Sequence, residues 1–248
     1  MSDDLSWLKH ITKVANEGKQ LTWWILRCFT TRSTALLHLF RSFVVSKIEY
    51  ACPLWLPYMK KDIQKIEALQ RCLTAKLDGM DGLNYHDRLK KLNLYSLQRR
   101  RERFVIITIW KIANNLHPNQ LDLQFYNTPR FGLKCRRKTL KTSTRAHINT
   151  LYHNSFPSVG PALFNTLPMA LKSKSTLISF KASLDKYLET IPDLPPIPGY
   201  PIINGNSLLE WVGQGMPSER SMDSVSAVTA VPIALNGDAT LLDKSCTC

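Results

Sequence analysis

Residues 36–55 read LLHLFRSFVVSKIEYACPLW, and this stretch decides how the chain is organised. Leu36, Leu37, Phe40, Phe43, Val44 and Ile48 recur at three- and four-residue spacing, which predicts a helix opening near Ser33 and burying one face. Pro53 and Pro57 stop it, because proline donates no N–H and pushes the preceding residue toward extended backbone. Trp55 is therefore expected in a proline-bounded turn. Upstream, Leu5, Leu8, Ile11, Ala15, Leu21, Ile25 and Cys28 follow the helical period, with a weak point at Gly18. Trp24 joins that stripe, which leaves Trp23 pointing elsewhere.

Downstream, Ile63, Ile66, Leu69, Leu73 and Leu77 mark a helix over 60–77 that Asp78-Gly79 ends. Asn84 is placed to cap a short helix over 85–91, and Ser96 opens a long one to about Asn114. The β-branched run Val105-Ile106-Ile107-Thr108-Ile109 has strand propensity, but the absence of any breaker across the segment favours helix. Residues 120–168 are rich in Thr, Asn, Pro and aromatics and read as loops with short strands. Ser175 is the expected cap of a final helix burying Leu177, Phe180, Leu184 and Leu188. After Ile191 the chain turns proline-rich, then Gly-, Ser- and Val-rich without a period, the signature of a flexible tail. The expected fold is mainly α: a helical domain over 1–118, a basic segment with a terminal helix over 119–190, and a tail over 191–248.

The 248 residues carry a formal charge of +14, unevenly spread. Residues 1–188 hold 31 Lys/Arg against 12 Asp/Glu, whereas residues 189–248 hold 2 against 7. Between Asp122 and Asp185 there is no acidic residue, while ten Lys/Arg fall in that stretch. Such a field attracts polyanions, nucleic acid above all. Six cysteines without regular spacing argue for a reducing compartment, nuclear or cytoplasmic, rather than a disulfide framework. The apolar run Phe104–Trp110 is far short of a membrane span.

Several blocks, taken in order, resemble one family. They are Asp4-Leu5-Ser6-Trp7 with His10-Ile11, the 36–55 stretch, and Ile63-Gln64-Lys65-Ile66-Glu67-Ala68-Leu69-Gln70-Arg71. Tyr85, Arg88-Leu89-Lys90, Leu92, Leu94, Ser96-Leu97 and Arg99-Arg100-Arg101 follow, then Ser155-Phe156-Pro157 through Leu163-Phe164-Asn165-Thr166-Leu167-Pro168 and Phe180-Lys181. Over roughly residues 3–188 the series resembles the region just past the polymerase palm in reverse transcriptases of non-LTR (LINE-type, jockey-like) retrotransposons. Phe40, Ser46, Asn93, Phe164 and Thr166 depart from the residues common there. The resemblance implies a thumb-like bundle that packs against template and primer. It also implies that the chain begins downstream of the catalytic aspartates, so that no polymerase site with its two metal ions can be assembled. Asp3-Asp4 reads instead as a helix start.

The candidate contacts with RNA or an RNA–DNA hybrid fall in two clusters. Arg99, Arg100, Arg101 and Arg103 are expected to fan around the start of a helix and grip phosphates from solvent. Lys134, Arg136, Arg137 and Lys138, with Lys141 and Arg145, form the densest basic patch, interleaved with hydroxyl residues, and also read as a nuclear-import signal. Trp23 is the candidate for stacking on a base. Cys135, His147 and His153 fit no zinc spacing, and no cofactor or metal site is read. A competing expectation is a host-adopted helical interaction module whose basic face meets an acidic protein.

Overall fold

Helix α1 (Leu8–Cys28) turns its Ile11, Val14, Ala15, Gly18, Thr22 and Ile25 stripe inward. In the computed structural model, which describes residues 7–136, 146–198 and 205–213, this face lies on helix α4 (Lys60–Ala75). Gly18 is the reason the two approach so closely: a Cβ there would sit 2.7 Å from Leu69 Cδ1. It is thus a docking point rather than a weak one. Trp24 does not join the stripe and is 60% exposed; Thr22 takes the inward position and donates to the Gly18 carbonyl at 2.8 Å.

The decisive stretch is helical but not uniformly α. It runs as α2 (Leu36–Leu39), a π-helical turn (Phe40–Val45) and α3 (Ser46–Glu49). The Ser46 N–H reaches the Arg41 carbonyl, five residues back. That wider turn holds one residue more than an α turn, so Val44 and Val45 both face the core while Phe43, expected inside, is 57% exposed. Ala51 then adopts a left-handed φ of 52°, a 3-10 turn covers Cys52–Leu54, and Trp55 is buried with its indole N–H donated to Tyr50 O at 3.0 Å.

The short helix α5 (Tyr85–Lys91) is capped by Asn84, whose Oδ1 accepts from Asp87 N at 3.0 Å. Helix α6 (Leu97–Ala113) is capped in the same way by Ser96. Two hydrophobic cores meet along α6. Leu97 closes the first, built from α1 through α4, and Val105, Ile106, Ile109 and Trp110 open the second. The β-branched run is helical because burial on several faces outweighs its strand propensity.

The second core differs most from expectation. Strands β1 (Phe125–Thr128) and β2 (Gly132–Cys135) pair antiparallel, but two stretches of the segment read as loops are helical: α7 (Ala146–His153) and α8 (Phe156–Thr166). The prolines mislead because Pro157 sits in the first turn, where its missing N–H costs nothing, so only Pro161 removes a helical bond. Gly160 lets α8 settle on α6, since a Cβ would stand 3.0 Å from Ile109 Cδ1. Helix α9 (Met169–Lys172) follows, and α10 (Leu177–Glu189) is capped by Thr176 rather than Ser175.

The described part of the region expected as a flexible tail is folded against the cores. Pro195 and Pro196 are buried, His86 bonds the Pro195 carbonyl, and helix α11 (Leu208–Gly213) seats Leu208 in the second core. Low periodicity reflected a strap over an existing surface, not an absence of burial. No helix among the described residues is long and apolar enough to cross a membrane.

Candidate nucleic-acid interface

The α6 arginines are engaged by the protein itself. Arg99 is fully buried; its Nη2 donates to Pro192 O at 2.8 Å and Asn206 O at 3.2 Å, and its Nε lies 3.9 Å from Asp193 Oδ1. Asp193 also accepts from the Ser96 N–H and hydroxyl, both at 2.7 Å, and from Asn206 Nδ2 at 2.8 Å. Arg100 grips Glu49 through Nε (2.6 Å) and Nη2 (3.0 Å), and Arg103 grips Asp185 through the same two nitrogens (2.5 and 2.9 Å). Arg101 is 2% exposed, with its guanidinium 5.4 Å from the centre of the Trp55 ring. The expectation of a solvent-facing phosphate grip is corrected by burial at Arg99 and Arg101, whereas Arg100 and Arg103 stay partly exposed and are held by carboxylates. Carboxylates from distant parts of the chain take the place assigned to phosphate at Arg100 and Arg103, and Asp193 with the Pro192 and Asn206 carbonyls does so at Arg99.

Two buried carboxyls brace the same region. Glu67 accepts from the Tyr85 hydroxyl and from Gln98 N, both at 2.7 Å, and burial pushes its pKa up to about 7 despite those bonds. Glu102 accepts from Leu208 N at 3.1 Å, and burial likewise raises it to about 7 against the pull of Arg99. Gln70 donates to Tyr95 O at 3.0 Å. The Glu and Gln of the 63–71 block are thus joints between helices.

The hairpin presents a different surface. Phe125 and Cys135 are paired in register; Cys135 is buried, and Phe125 meets Phe164 edge to face. Asn165 clamps this side, accepting from Cys135 N (2.9 Å) and donating to Cys135 O (2.8 Å). Gly132, at a φ of 64°, passes so close to Met169 that a Cβ would meet its Cγ at 2.8 Å. Tyr126 and Lys134 are the next pair, where alternation turns side chains to the opposite face.

There Tyr126 is 42% exposed, and Phe131, in the connecting turn, is 48% exposed. Lys134 Nζ lies 4.0 Å and the Arg130 guanidinium 5.4 Å from the Phe131 ring centre, and Arg136 lies 5.7 Å from that of Tyr126. Arg136 also donates to the neutral Gln124 side chain at 3.3 Å. No carboxylate occurs in the sequence from residue 123 to 184, and among the described residues none of these cations is in an ion pair. Lys172 feels the result: burial first, then the nearby Lys134 charge, lowers its pKa to about 8.

Of the basic patch read from sequence, Lys134 and Arg136 are in this interface; Arg137, Lys138, Lys141 and Arg145 lie outside the described residues, as do Asp3 and Asp4. Sequence reasoning missed Arg130, Tyr126 and Phe131. The signal was present in Phe125-Tyr126 and Phe131-Gly132 flanking Pro129-Arg130, an aromatic alternation about a turn. Trp23, the residue expected to stack on a base, is exposed, beneath Arg27 at 4.8 Å and edge to face with Trp24 at 6.0 Å. Among the described residues, no group of three His, Cys, Asp or Glu converges on a position that would hold a metal ion. Comparison with protein-family models, with curated proteins and with solved structures finds no match.

Proposed function

We propose that the chain is a non-catalytic nucleic-acid-binding module, the thumb and post-thumb portion of a reverse-transcriptase-like protein of the non-LTR retrotransposon class. It holds RNA or an RNA–DNA hybrid through the β1–β2 hairpin. One observation carries the reading: Tyr126 and Phe131 are exposed, each beneath a cation, in a stretch without carboxylates. Aromatic rings stack on unpaired bases of any identity while neighbouring cations neutralise phosphates, so binding has little sequence preference. The α6 arginines contribute by holding the two cores together, not by touching the ligand.

The test is fluorescence anisotropy with a labelled oligoribonucleotide and an RNA–DNA hybrid over a salt series. Affinity falls as salt rises, and Lys134→Gln with Arg136→Gln flattens the log–log slope by about 1.5 units, roughly 0.7–0.9 per lost contact. Tyr126→Ala and Phe131→Ala each weaken single-strand binding by about 1–3 kcal/mol without changing the slope. A parent slope near zero, or hairpin variants that bind as the parent does, sinks the assignment. Tight salt-resistant binding to an acidic protein would replace it with the host-adopted interaction module.

A further inference from the structure

The β1–β2 hairpin has two outer edges, and the fold treats them differently. The Arg136 N–H donates to Gln124 O at 2.8 Å, and Phe125 stands opposite Cys135, so the ladder bonds fall at Gln124–Arg136, Tyr126–Lys134 and Thr128–Gly132. The backbone groups of Phe125, Asn127, Leu133 and Cys135 therefore point away from the ladder. On the β2 side, Asn165 accepts from Cys135 N and donates to Cys135 O, and so stands in for a further strand. On the β1 side, the Phe125 and Asn127 backbones have no hydrogen-bond partner among the described residues, and Asn127 is exposed. Nor does β1, Phe-Tyr-Asn-Thr, contain a charge or a proline of the kind that keeps an edge from pairing.

A second copy of the chain offers a matching edge. Antiparallel pairing of β1 with itself about a two-fold axis can set Phe125 against the partner's Phe125, Asn127 against the partner's Asn127, or Phe125 against the partner's Asn127. The first register brings Asn127 to the partner's Leu123, whose N–H and C=O are both taken by the Asn119 side chain. The second brings Phe125 to the partner's Pro129, which has no N–H to give. Only the third lets Phe125 and Asn127 of each copy exchange bonds through free groups. It also sets Tyr126 directly opposite the partner's Tyr126 at the closer, non-hydrogen-bonded spacing, where aromatic pairs stabilise a sheet. The 129–131 turn of each copy then lies beside the 122–124 corner of the other, so Arg130 meets the partner's Asp122. Both are exposed, and neither is in an ion pair among the described residues. Lys134 and the partner's Lys134 stay about three strand spacings apart, roughly 14 Å, beyond the screening length of about 8 Å at physiological salt.

We propose that the chain self-associates through the open edge of β1, pairing with β1 of a second copy in this register. The pairing joins two hairpins into one sheet and brings Tyr126, Phe131 and Lys134 of both copies to the same exposed face. The shared edge is short, so the dimer is weak and forms with rising concentration. The inference stands apart from the nucleic-acid reading, because self-association is measured with no nucleic acid present.

The experiment is sedimentation velocity of the full chain from micromolar to millimolar concentration, over which the sedimentation coefficient rises toward that of a dimer. Asn127→Pro removes an N–H that points away from β2, so it spares the hairpin ladder and weakens association by at least about tenfold. Arg130→Glu sets like charges together and weakens it too, and adding Asp122→Asn, which suits the left-handed φ of 51°, restores part of the loss. The register is read in a chain carrying Cys28→Ser, Cys246→Ser and Cys248→Ser. There Tyr126→Cys forms an interchain disulfide on oxidation, whereas Thr128→Cys does not. If Asn127→Pro fails to fold by circular dichroism, the two cysteine variants decide. The proposal is overturned if the chain stays monomeric at millimolar concentration, if folded Asn127→Pro associates as the parent does, or if Thr128→Cys crosslinks as readily as Tyr126→Cys. A monomeric chain whose Phe125 and Asn127 amides are protected from exchange by an extended acidic peptide also overturns it, and assigns the edge to a foreign strand.

Discussion

The start of α6 and the β1–β2 hairpin are both dense in cations, and they use them in opposite ways. Arg99, Arg100 and Arg103 are paired with Asp193, Glu49 and Asp185, residues 51 to 94 positions away in sequence. Arg130, Lys134 and Arg136 have no carboxylate partner among the described residues and lie over exposed rings. Cations are close together in sequence in both places; what separates them is whether the fold returns an acidic side chain to each cation. A basic run is a binding surface only where that return does not happen.

The sharpest way to break this comparison is Arg99→Gln. It removes the buried cation that faces Asp193 and holds the Pro192 and Asn206 carbonyls, and a loss of about 3–5 kcal/mol is expected in urea unfolding. Stability unchanged by that substitution would return the α6 arginines to the surface role first expected of them.

Next in size is the pH response of Glu67. Its folded pKa of about 7 lies above the unfolded value of 4.5. Between those pH values the folded chain holds a proton that the unfolded chain has released, so its contribution falls as pH rises and levels off above about 7. Glu67→Gln mimics the protonated acid, donating to Tyr85 and accepting from Gln98. It should flatten this part of the stability–pH curve by an amount on the order of a few kcal/mol. The difference between parent and variant isolates Glu67 from His10 and His86, which burial pulls down and which act in the opposite sense.

Arg100→Gln and Arg103→Gln come third. Both pairs are bidentate but partly open to solvent, so each substitution should cost about 1 kcal/mol, and a double-mutant cycle with Glu49→Gln or Asp185→Asn should recover most of it. At the hairpin, Lys134→Gln and Arg136→Gln should move stability by less than about 0.5 kcal/mol while still weakening RNA binding. A large stability loss there would erase the contrast.

Local signals were legible where they were self-contained. Asn84 and Ser96 cap the helices expected of them, the 105–109 run is helical, and the stripe of α4 is buried as its spacing requires. The strap was not legible, because Asp193, Asn206 and Leu208 gain their role only from partners on α6 about a hundred residues earlier. Helix α8 was masked by prolines whose position in the first turn makes them harmless, a fact that depends on where the helix begins. For the candidate interface, the cations Lys134 and Arg136 were read from charge alone, whereas their pairing with Phe131 and Tyr126 required the hairpin register.

The π turn at Phe40–Val45 has a consequence for how this chain tolerates change in length. Removing a residue from a helix ordinarily rotates everything beyond it by about 100° and tears its stripe from the core. Here the turn already carries one residue in surplus, and Phe43, facing solvent, is the one whose side chain the core does not use. Deleting Phe43 should let the turn close as ordinary α-helix and keep Phe40, Val44 and Ile48 on the buried face. The helix over 36–49 therefore behaves as a frame that accepts a one-codon loss at one place, and circular dichroism of the deletion variant, compared with deletion of Val44, reads that tolerance directly.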